Sequence, residues 1–596
     1  MIPERLAQLR QEMSKRGIDI YVVPTADFHE SEYVGEHFMA RKYITGFTGS
    51  AGTAVITMDE AGLWTDGRYF VQAAAQLEGT TVKLYKSGEE GVPTVDEYIK
   101  DTLKEGQGLG FDGRVVNGAW GAALEKIVKD KKGSMHVDED LIDIIWKDRP
   151  ALSKAPVMIM DLKYVGEDTA DKLSKVREKL KEKGADLHLM SSLYDIAWLL
   201  NVRGGDISYV PVVLSYLAVS EDSCVWFLQE EIVTPELRAY LDKYGIITKP
   251  YNSFYDYVKE IPAGQKVLLD TSIVNYRICN SIPEKVEKIS ETDPTVLMKA
   301  IKNDTQIENI RIAHEKDAVA MIKFMYWLKK NVGKIPMTEI SVSDHLEELR
   351  REQEDCLDLS FDTICGYAEH GAIVHYSATP ETDVELKPEG LLLVDSGGHY
   401  LQGTTDITRT FALGPVTDEM KADFTRVCRS NMSLANAKFK YGCTGINFDI
   451  LARAPFWNEN LDYNHGTGHG VGYILNVHEG PNAFHWKQYP GRTADHVIEP
   501  GMVTTDEPGI YIEGKYGIRT ENELICQKGL KNEYGQFMYF ENVTYVPIDL
   551  DVIDPDQMNR DEKRQLNEYH AMVLEKMAPY FEGDELEFLK EYTRAI

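Results

Sequence analysis

Two aspartates close to an apolar segment are the first residues that could do chemistry. Asp395 ends the apolar run 391–394, and Asp406 follows 11 residues later. We predict a turn at Gly397 and Gly398, so that the two segments form a hairpin with the aspartates side by side. One such aspartate alone would be interpreted as a turn cap. Two adjacent carboxylates repel each other strongly unless a cation lies between them.

A glycine-rich segment supplies three histidines. His465, His469 and His478 fall within 14 residues, and four of the eight residues at 465–472 are glycine. The first two histidines have the i,i+4 spacing of a helical zinc motif, but glycine disfavours a helix. We predict an extended or looped segment whose backbone comes close to a site. A single histidine is more often structural, whereas three on such a segment favour a function.

Two glutamates and an arginine follow the histidines. Glu507 comes after the strand-like segment 501–505, and Arg519 is two residues from Glu521. On a strand, residues i and i+2 share a face, so we expect Arg519 to orient the carboxylates of a site. Taken singly, Glu507 would be a solvent-facing turn residue, and Arg519 with Glu521 a surface ion pair.

Taken together, one imidazole and four carboxylates predict a metal site. The five candidate ligands are Asp395, Asp406, His469, Glu507 and Glu521. An oxygen-rich set suits hard or borderline divalent ions such as Mn²⁺ better than a thiolate zinc site does. Four carboxylates exceed what one dication needs, so we predict two ions, roughly 3.5–4 Å apart and bridged by carboxylates and water. Such a pair activates water and polarises a carbonyl, which is the chemistry of amide hydrolysis.

The elements before this site contain an internal repeat with an offset of 167 residues. In each copy, apolar residues at helical spacing, a glycine and an apolar stretch predict a helix followed by a strand. The strands are expected at 20–23 and 187–190. The paired positions are Leu6, Leu9, Arg10, Met13, Gly17 and Asp19, with Leu173, Val176, Arg177, Leu180, Gly184 and Asp186.

Proline-containing linkers at 148–156 and 291–294 indicate domain boundaries. We predict domains at 1–152, 153–298 and 299–548, with a helical tail at 549–596, and an α/β (α+β) fold class. A long helix is expected over 303–330. Thr305 is predicted to cap it, with Glu308 completing a capping box.

Composition excludes several other classes of protein. The 596 residues carry 65 Lys and Arg against 96 Asp and Glu, and the net charge of −31 disfavours nucleic acid as a partner. No apolar run approaches the roughly 18 residues of a membrane span, and residues 1–16 lack the apolar core of a signal peptide. Seven cysteines without a C-x-x-C pair suit a reducing compartment. We therefore expect a cytoplasmic protein without membrane or nucleic-acid partners.

The motifs together resemble the metallopeptidase family of methionine aminopeptidase, prolidase and aminopeptidase P, and most of all its long, three-domain cytosolic aminopeptidase P type. The metal-site motifs that carry the resemblance are 394–397, 404–410, 465–472, 476–481, 506–509 and 518–522. Less specific matches precede them at 46–53, 64–70, 145–150, 196–199 and 201–204.

This resemblance implies two creatinase-type N-terminal domains followed by a pita-bread metallopeptidase domain. It also implies a dimanganese site bridged by Asp406 and Glu521, with the Glu507 position serving as general base. His375 matches a histidine that lines the active site of the family. His465 and His478 match histidines associated with substrate binding and with stabilising the tetrahedral intermediate. Family members are often homodimers, so a homodimer is expected.

The implied activity is release of the N-terminal residue from peptides with proline in second position, by attack of a metal-bridging hydroxide on the Xaa-Pro amide. Prolidase, which cleaves Xaa-Pro dipeptides, is the nearest alternative, and two front domains together with segment 476–481 favour aminopeptidase P. The roughly 300 residues before the catalytic domain disfavour methionine aminopeptidase. The five candidate ligands disfavour an inactive peptide-binding scaffold and metal-free, creatinase-like chemistry.

Two positions depart from the family pattern. Glu523 stands where an apolar residue is expected, and Gln565 stands where tryptophan is common. As the next residue on the face of Glu521, Glu523 could change the local field. We expect neither departure to touch a metal ligand.

Overall fold

A computed structural model describes residues 1–488 and 496–596. The chain packs into two compact units, residues 1–160 with 167–295, and residues 161–166 with 296–596. Within the described ranges, no helix has both the length and the apolar character needed to cross a membrane.

The first sheet lies in residues 1–136 and has the strand order β4-β3-β2-β1-β5-β6. Side chains alternate along its central strand, so Tyr21 and Val23 pack with helix residues such as Leu9, while Ile20 and Val22 join the core on the other face. The helices and strands of residues 1–150 are α1 Ile2–Arg16, α2 Ala40–Thr45, α3 Phe70–Leu77, α4 Val95–Thr102, α5 Gly118–Asp130 and α6 Leu141–Ile145, with β1 Ile20–Pro24, β2 Thr53–Thr57, β3 Ala61–Thr65, β4 Lys83–Lys86, β5 Gly108–Gly110 and β6 Ser134–His136.

The second sheet repeats this topology in the order β12-β11-β10-β8-β13-β14. A short antiparallel pair, β7 with β9, lies apart from it. The elements of residues 151–300 are α7 Leu162–Val165, α8 Thr169–Lys183, α9 Leu193–Leu199, α10 Pro235–Lys243, α11 Phe254–Lys259, α12 Tyr276–Ser281 and α13 Pro294–Ala300, with β7 Met158–Ile159, β8 Leu187–Met190, β9 Val202–Arg203, β10 Tyr216–Ser220, β11 Cys224–Leu228, β12 Ile246–Pro250, β13 Lys266–Leu269 and β14 Glu287–Ser290.

The two sheets confirm the structural repeat. In both, the first strand pairs antiparallel with one neighbour and parallel with the other. Helices α1 and α8 each have 15 residues and end at Gly17 and Gly184, whose φ angles are 70° and 64°. Glycine adopts this left-handed conformation without steric strain, so the helix–glycine–strand pattern indicates the same helix end in each copy.

The second unit contains the predicted site. Its antiparallel sheets have the strand orders β16-β17-β20, β15-β18-β19, β21-β28-β27-β24-β22-β23 and β25-β26. The elements of residues 301–596 are α14 Asp304–Asn331, α15 Glu339–Arg351, α16 Asp418–Ala435, α17 Asp449–Trp457, α18 Arg560–Met577 and α19 Gly583–Tyr592, with β15 Cys356–Leu359, β16 Ile364–Tyr367, β17 Leu391–Ser396, β18 Gly398–Tyr400, β19 Gly403–Thr404, β20 Ile407–Ala412, β21 Lys438–Lys440, β22 Gly468–Gly470, β23 Glu479–Phe484, β24 Val503–Asp506, β25 Gly509–Ile512, β26 Tyr516–Arg519, β27 Asn522–Asn532 and β28 Gly535–Asn542.

The long helix α14 is confirmed, but its predicted cap is wrong. Asn303 caps the helix by accepting the N–H of Gln306, and the Gln306 side chain closes the capping box on the Asn303 N–H. Thr305 lies inside the first turn. Asparagine is at least as good a cap as threonine and occurs first here, so the cap lies two residues before the predicted one.

The turn predicted at Gly397 and Gly398 is also wrong. Gly398 begins β18, and the chain turns at 401–402 before β19 leads back to Asp406. Strands β17 and β20 still pair antiparallel, as the hairpin requires. Glycine is needed at position 397 because the backbone of Thr405 lies very close to it. A Cβ atom at this position would be 1.9 Å from the carbonyl oxygen of Thr405.

Replacing Gly397 with alanine is therefore expected to destabilise the second unit. The backbone must shift to admit the new carbon, which costs about 1–3 kcal/mol when a packed core is overfilled. Gly529→Ala is the control, because its Cβ would meet no atom closer than 3.3 Å. Thermal unfolding should show a lower midpoint for Gly397→Ala than for the control. Equal midpoints for the two variants would contradict this interpretation of Gly397.

Candidate metal centre

Three side chains from separate segments of the chain converge at one point. Asp406 immediately precedes β20, His469 lies on β22, and Glu521 lies between β26 and β27. One donor atom from each lies within 4.8 Å of the other two. The His469 Nδ1–H donates to the carbonyl oxygen of Gly470 at 2.9 Å, which leaves Nε2 as the ligand atom. This Nε2 lies 3.3 Å from Asp406 Oδ2.

The other two predicted ligands border this group. Glu507 follows β24, and its Oε1 lies 3.7 Å from His469 Nε2. Asp395 lies on β17 directly opposite Thr408 of β20, and Thr408 donates to Glu521 Oε2 at 2.7 Å. Asp395 Oδ1 is buried and accepts no hydrogen bond from any described residue. The β17–β20 register thus brings the first two aspartates into one neighbourhood with Glu521.

The electrostatics of this cluster favour added positive charge. Burial raises the pKa of Glu507 to about 7, and burial together with Asp406 and Asp395 raises the pKa of Glu521 far above its ordinary value. Burial opposes the charged form of His469, but Asp406 and Glu507 outweigh it and raise its pKa to about 9. Four clustered carboxylates and one correctly oriented imidazole nitrogen fit hard or borderline divalent ions.

Arg519 and Tyr511 form the border of this cluster. Arg519 donates to Asp395 Oδ2 at 2.6 Å and to the Tyr511 hydroxyl at 2.7 Å. The Tyr511 hydroxyl also contacts His465 Nε2 at 2.8 Å. Because Tyr511 accepts from Arg519, its own proton is available for His465 Nε2. His465 Nδ1–H then donates to the carbonyl of Gly466. One tyrosine therefore fixes both the arginine and the tautomer of His465.

Replacing Tyr511 with phenylalanine is expected to lower kcat/KM by about 10- to 100-fold, since hydrogen bonds to charged groups contribute about 1.5–3 kcal/mol. The matched control is Tyr516→Phe, which removes a buried hydroxyl that donates to Asp423 instead. Steady-state kinetics of both variants on one peptide with proline in second position would check this. A loss no larger than that of the control would contradict the role assigned to Tyr511.

The remaining predicted histidines lie at the edge of the cluster. The ring of His478 lies 4.3 Å from that of His469 and nearly perpendicular to it. His375 is half-buried and follows Val374, whose carbonyl oxygen lies 3.4 Å from Arg519 Nη2. The structure thus brings His478 into contact with the proposed ligand His469, and His465 into contact with Tyr511 at the border of the cluster. His375 is the chain neighbour of Val374, which contacts the border residue Arg519.

Two sequence-based expectations change. Arg519 ends β26 and Glu521 lies in the join before β27, so they do not share a strand, and the carboxylate that Arg519 binds is that of Asp395. Glu523 does touch a predicted ligand, because its Oε1 accepts the backbone N–H of Asp406 at 2.7 Å. The sequence marked Glu523 only as a departure from the family pattern, and no local pattern pointed to Asp406. Tyr511 was missed, since no local pattern connects it to His465.

Comparison with known families agrees with this arrangement. Residues 5–141 and 148–306 each match a Creatinase/Prolidase N-terminal domain family. Residues 308–528 match Metallopeptidase family M24, and residues 536–596 match the C-terminal region of peptidase M24. These matches confirm the predicted fold class of two creatinase-type domains followed by a pita-bread metallopeptidase domain.

Individual relatives extend the similarity over nearly the whole chain. The chain is 38% identical to Aminopeptidase P2 of Arabidopsis thaliana, over 98% of this chain and 87% of that protein. It is also 38% identical to Xaa-Pro aminopeptidase 1 of Dictyostelium discoideum, over 98% and 94%.

Solved structures support the same grouping. An X-prolyl aminopeptidase from Caenorhabditis elegans, described as a cytosolic enzyme with a di-nuclear active site, matches 100% of both chains with a TM-score of 0.94 and 34% identity. A Xaa-Pro dipeptidase from Bacillus anthracis matches 99% of itself but 64% of this chain, with a TM-score of 0.51 and 25% identity. The chain belongs to metallopeptidase family M24, within its group of long aminopeptidase P proteins.

Proposed function

We propose that this protein is a metal-dependent aminopeptidase that releases the N-terminal residue from peptides with proline in second position. The observation that carries the proposal is the convergence of Asp406, His469 and Glu521 within 4.8 Å. Full-length similarity to Xaa-Pro aminopeptidases supports the substrate class. Prolidase remains the second candidate, and the partial coverage of the chain by a Xaa-Pro dipeptidase counts against it.

Two divalent ions, most readily Mn²⁺, are the cofactors in this proposal. The residues that would hold them are Asp395, Asp406, His469, Glu507 and Glu521. Four carboxylates and one imidazole suit Mn²⁺ better than a softer ion. When bound, such ions supply an activated water and polarise the scissile carbonyl.

The protein's own residues then move protons and orient the substrate. Glu507 accepts a proton from the attacking water and passes it to the leaving proline nitrogen. The Glu507 side chain is 19% exposed, whereas Glu521 is fully buried, so Glu507 is the more accessible of the two to substrate. His465, His478 and His375 hold the developing oxyanion and the substrate. Arg519 acts through Asp395, whose orientation it fixes.

Proline explains why a dedicated enzyme is needed. The Xaa-Pro bond is a tertiary amide without an N–H, and the ring fixes φ, so peptidases that bind a regular backbone handle it poorly. The clustered carboxylates also favour the free α-ammonium group that marks the N-terminus of a peptide.

Three peptides test this proposal in the presence of Mn²⁺. Arginine should be released from Arg-Pro-Pro, at a much lower rate from Arg-Ala-Ala, and at a much lower rate from the dipeptide Arg-Pro. Preference for Arg-Pro over Arg-Pro-Pro would replace the proposal with prolidase. Cleavage of none of the three by protein that binds Mn²⁺ would favour a peptide-binding scaffold.

A homodimer is part of the proposal and rests on an exposed apolar surface. Ile450 and Trp457 of α17 are exposed, as is Trp486, whose ring lies 5.9 Å from that of Trp457. Contiguous exposed apolar residues of this kind commonly form interfaces. Light scattering should give twice the mass of 67.5 kDa, and Ile450→Asp should shift the protein towards monomer. A monomeric wild-type protein would refute this part.

The proposed location is the cytoplasm. All seven cysteines are free, which suits a reducing compartment, and the Caenorhabditis elegans relative is described as cytosolic.

We further propose the domain boundaries 152/153, 298/299 and 548/549. A six-stranded sheet on each side of the first boundary supports it.

A further inference from the structure

A buried carboxylate outside the proposed ligand set contacts the backbone of one proposed ligand, Asp406. Glu523 of β27 is fully buried, and its Oε1 accepts the backbone N–H of Asp406 at 2.7 Å. Its Oε2 lies 3.2 Å from Nε2 of His314, a residue of α14 that is 3% exposed. A carboxylate buried outside the ligand set is costly unless it has partners, so its position here needs a reason.

The contact connects two of the residues that would hold the ions, Asp406 and Glu521. Glu521 lies just before β27, and Glu523 is two residues further along, on β27. The Glu523 carboxylate accepts the backbone N–H of Asp406. Thr408 makes two further hydrogen bonds to Glu521: its hydroxyl donates to the carboxylate, and its carbonyl oxygen accepts the Glu521 N–H. The distance between the Asp406 and Glu521 carboxylates therefore depends on the hydrogen bond from Asp406 to Glu523.

His314 gives Glu523 its orientation. A glutamate side chain has three rotatable bonds, and holding it in one position costs conformational entropy. The Asp406 N–H donates to Oε1, and the imidazole Nε2 lies at ion-pair distance from Oε2, without the geometry of a hydrogen bond. Because α14 is a 28-residue helix with a largely buried face, it is a rigid base for this pair.

We propose that Glu523 is a positioning residue that sets Asp406 relative to Glu521 for metal binding, and that His314 aims it. This inference rests on the proposed metallopeptidase function. Partners of ligands in other metal sites typically change metal affinity by 10- to 100-fold when they are removed.

The same unit contains a matched control at the other end of β20. Asp549 is buried, accepts the N–H of Ala412 at 2.9 Å, and pairs with Lys329 of α14 at 2.5 Å. Lys329 also pairs with Asp551, so it keeps a counter-ion when Asp549 is lost. Like Glu523, Asp549 is buried, accepts a backbone N–H and pairs with a residue of α14. Unlike Glu523, it contacts the end of β20 that lies away from the proposed ligands.

The experiment measures the Mn²⁺ dissociation constant of EDTA-stripped protein by calorimetry. Glu523→Val should weaken binding at least about 10-fold, whereas Glu523→Gln, which keeps an oxygen for the Asp406 N–H, should stay within about threefold. Asp549→Val should bind Mn²⁺ as the wild type does. Wild-type affinity in Glu523→Val would overturn the proposal, and equal losses in the valine and glutamine variants would overturn the hydrogen bond as its cause. An equal loss in Asp549→Val would reduce the effect to general destabilisation.

A second variant covers the case in which Glu523→Val does not fold. His314→Gln leaves Glu523 in place and removes its imidazole partner, and it should weaken Mn²⁺ binding about 3- to 10-fold without lowering the unfolding temperature of the metal-free protein more than Asp549→Val does. Unchanged affinity in His314→Gln would refute its role. If the wild type itself binds no Mn²⁺, the proposed function fails. If the wild type binds and the variants match it, only this inference fails.

Discussion

Replacing Asp406 with asparagine is expected to lower kcat/KM on Arg-Pro-Pro by at least about 10³-fold, because divalent ions supply several kcal/mol of transition-state stabilisation and every 1.4 kcal/mol is a factor of ten. Asp406 is 4% exposed and contacts His469 on one side and the Glu523 carboxylate through its backbone. Loss of its charge should also reduce bound Mn²⁺ from two ions to one or none, as measured by metal analysis of the purified variant.

The control for this change is Asp423→Asn. Asp423 is also buried in the second unit, where it pairs with Arg426 and accepts the hydroxyl of Tyr516. It should keep both ions and activity near that of the wild type, even if it is less stable. An Asp406→Asn protein that still binds two ions and cleaves at the wild-type rate would remove Asp406 from the metal centre.

Replacing Glu507 with glutamine is expected to lower kcat by about 10²- to 10⁴-fold, which is the usual contribution of a general base. Glutamine keeps an oxygen that can contact a metal but cannot take up the proton. Single-turnover measurements with Mn²⁺ at saturation separate this loss from weaker metal binding. The exposed Glu513, between β25 and β26, is the control through Glu513→Gln. If Glu507→Gln at full occupancy keeps most of the activity, another group is the base.

Local patterns were sufficient for much of the fold. The helix–glycine–strand repeat is encoded within about 20 residues of each copy, and both helices end at the predicted glycines. The absence of a helix at 465–472 follows from the glycines, whose helical propensity is poor, and the structure has the strand β22 there. Ligand types likewise follow from composition, since carboxylates and imidazoles are recognisable without coordinates.

Contacts between distant segments were not predictable in the same way. The turn at 401–402 and the close approach of Gly397 to Thr405 depend on two short strands that carry no distinct pattern. Tyr511 meets His465 across 46 residues. Glu523 meets Asp406 across 117 residues, so its departure from the family pattern was visible while its target was not. Such register- and fold-dependent contacts need the tertiary structure.

The most direct test of the proposed function follows arginine release from Arg-Pro-Pro as Mn²⁺ is added to EDTA-stripped protein. We predict no release before addition, and a rise that saturates as two ions bind per chain, with Arg-Ala-Ala left largely uncleaved throughout. Cleavage of Arg-Pro-Pro by fully stripped protein, at a rate that Mn²⁺ does not change, would contradict a metal centre built from Asp406, His469 and Glu521.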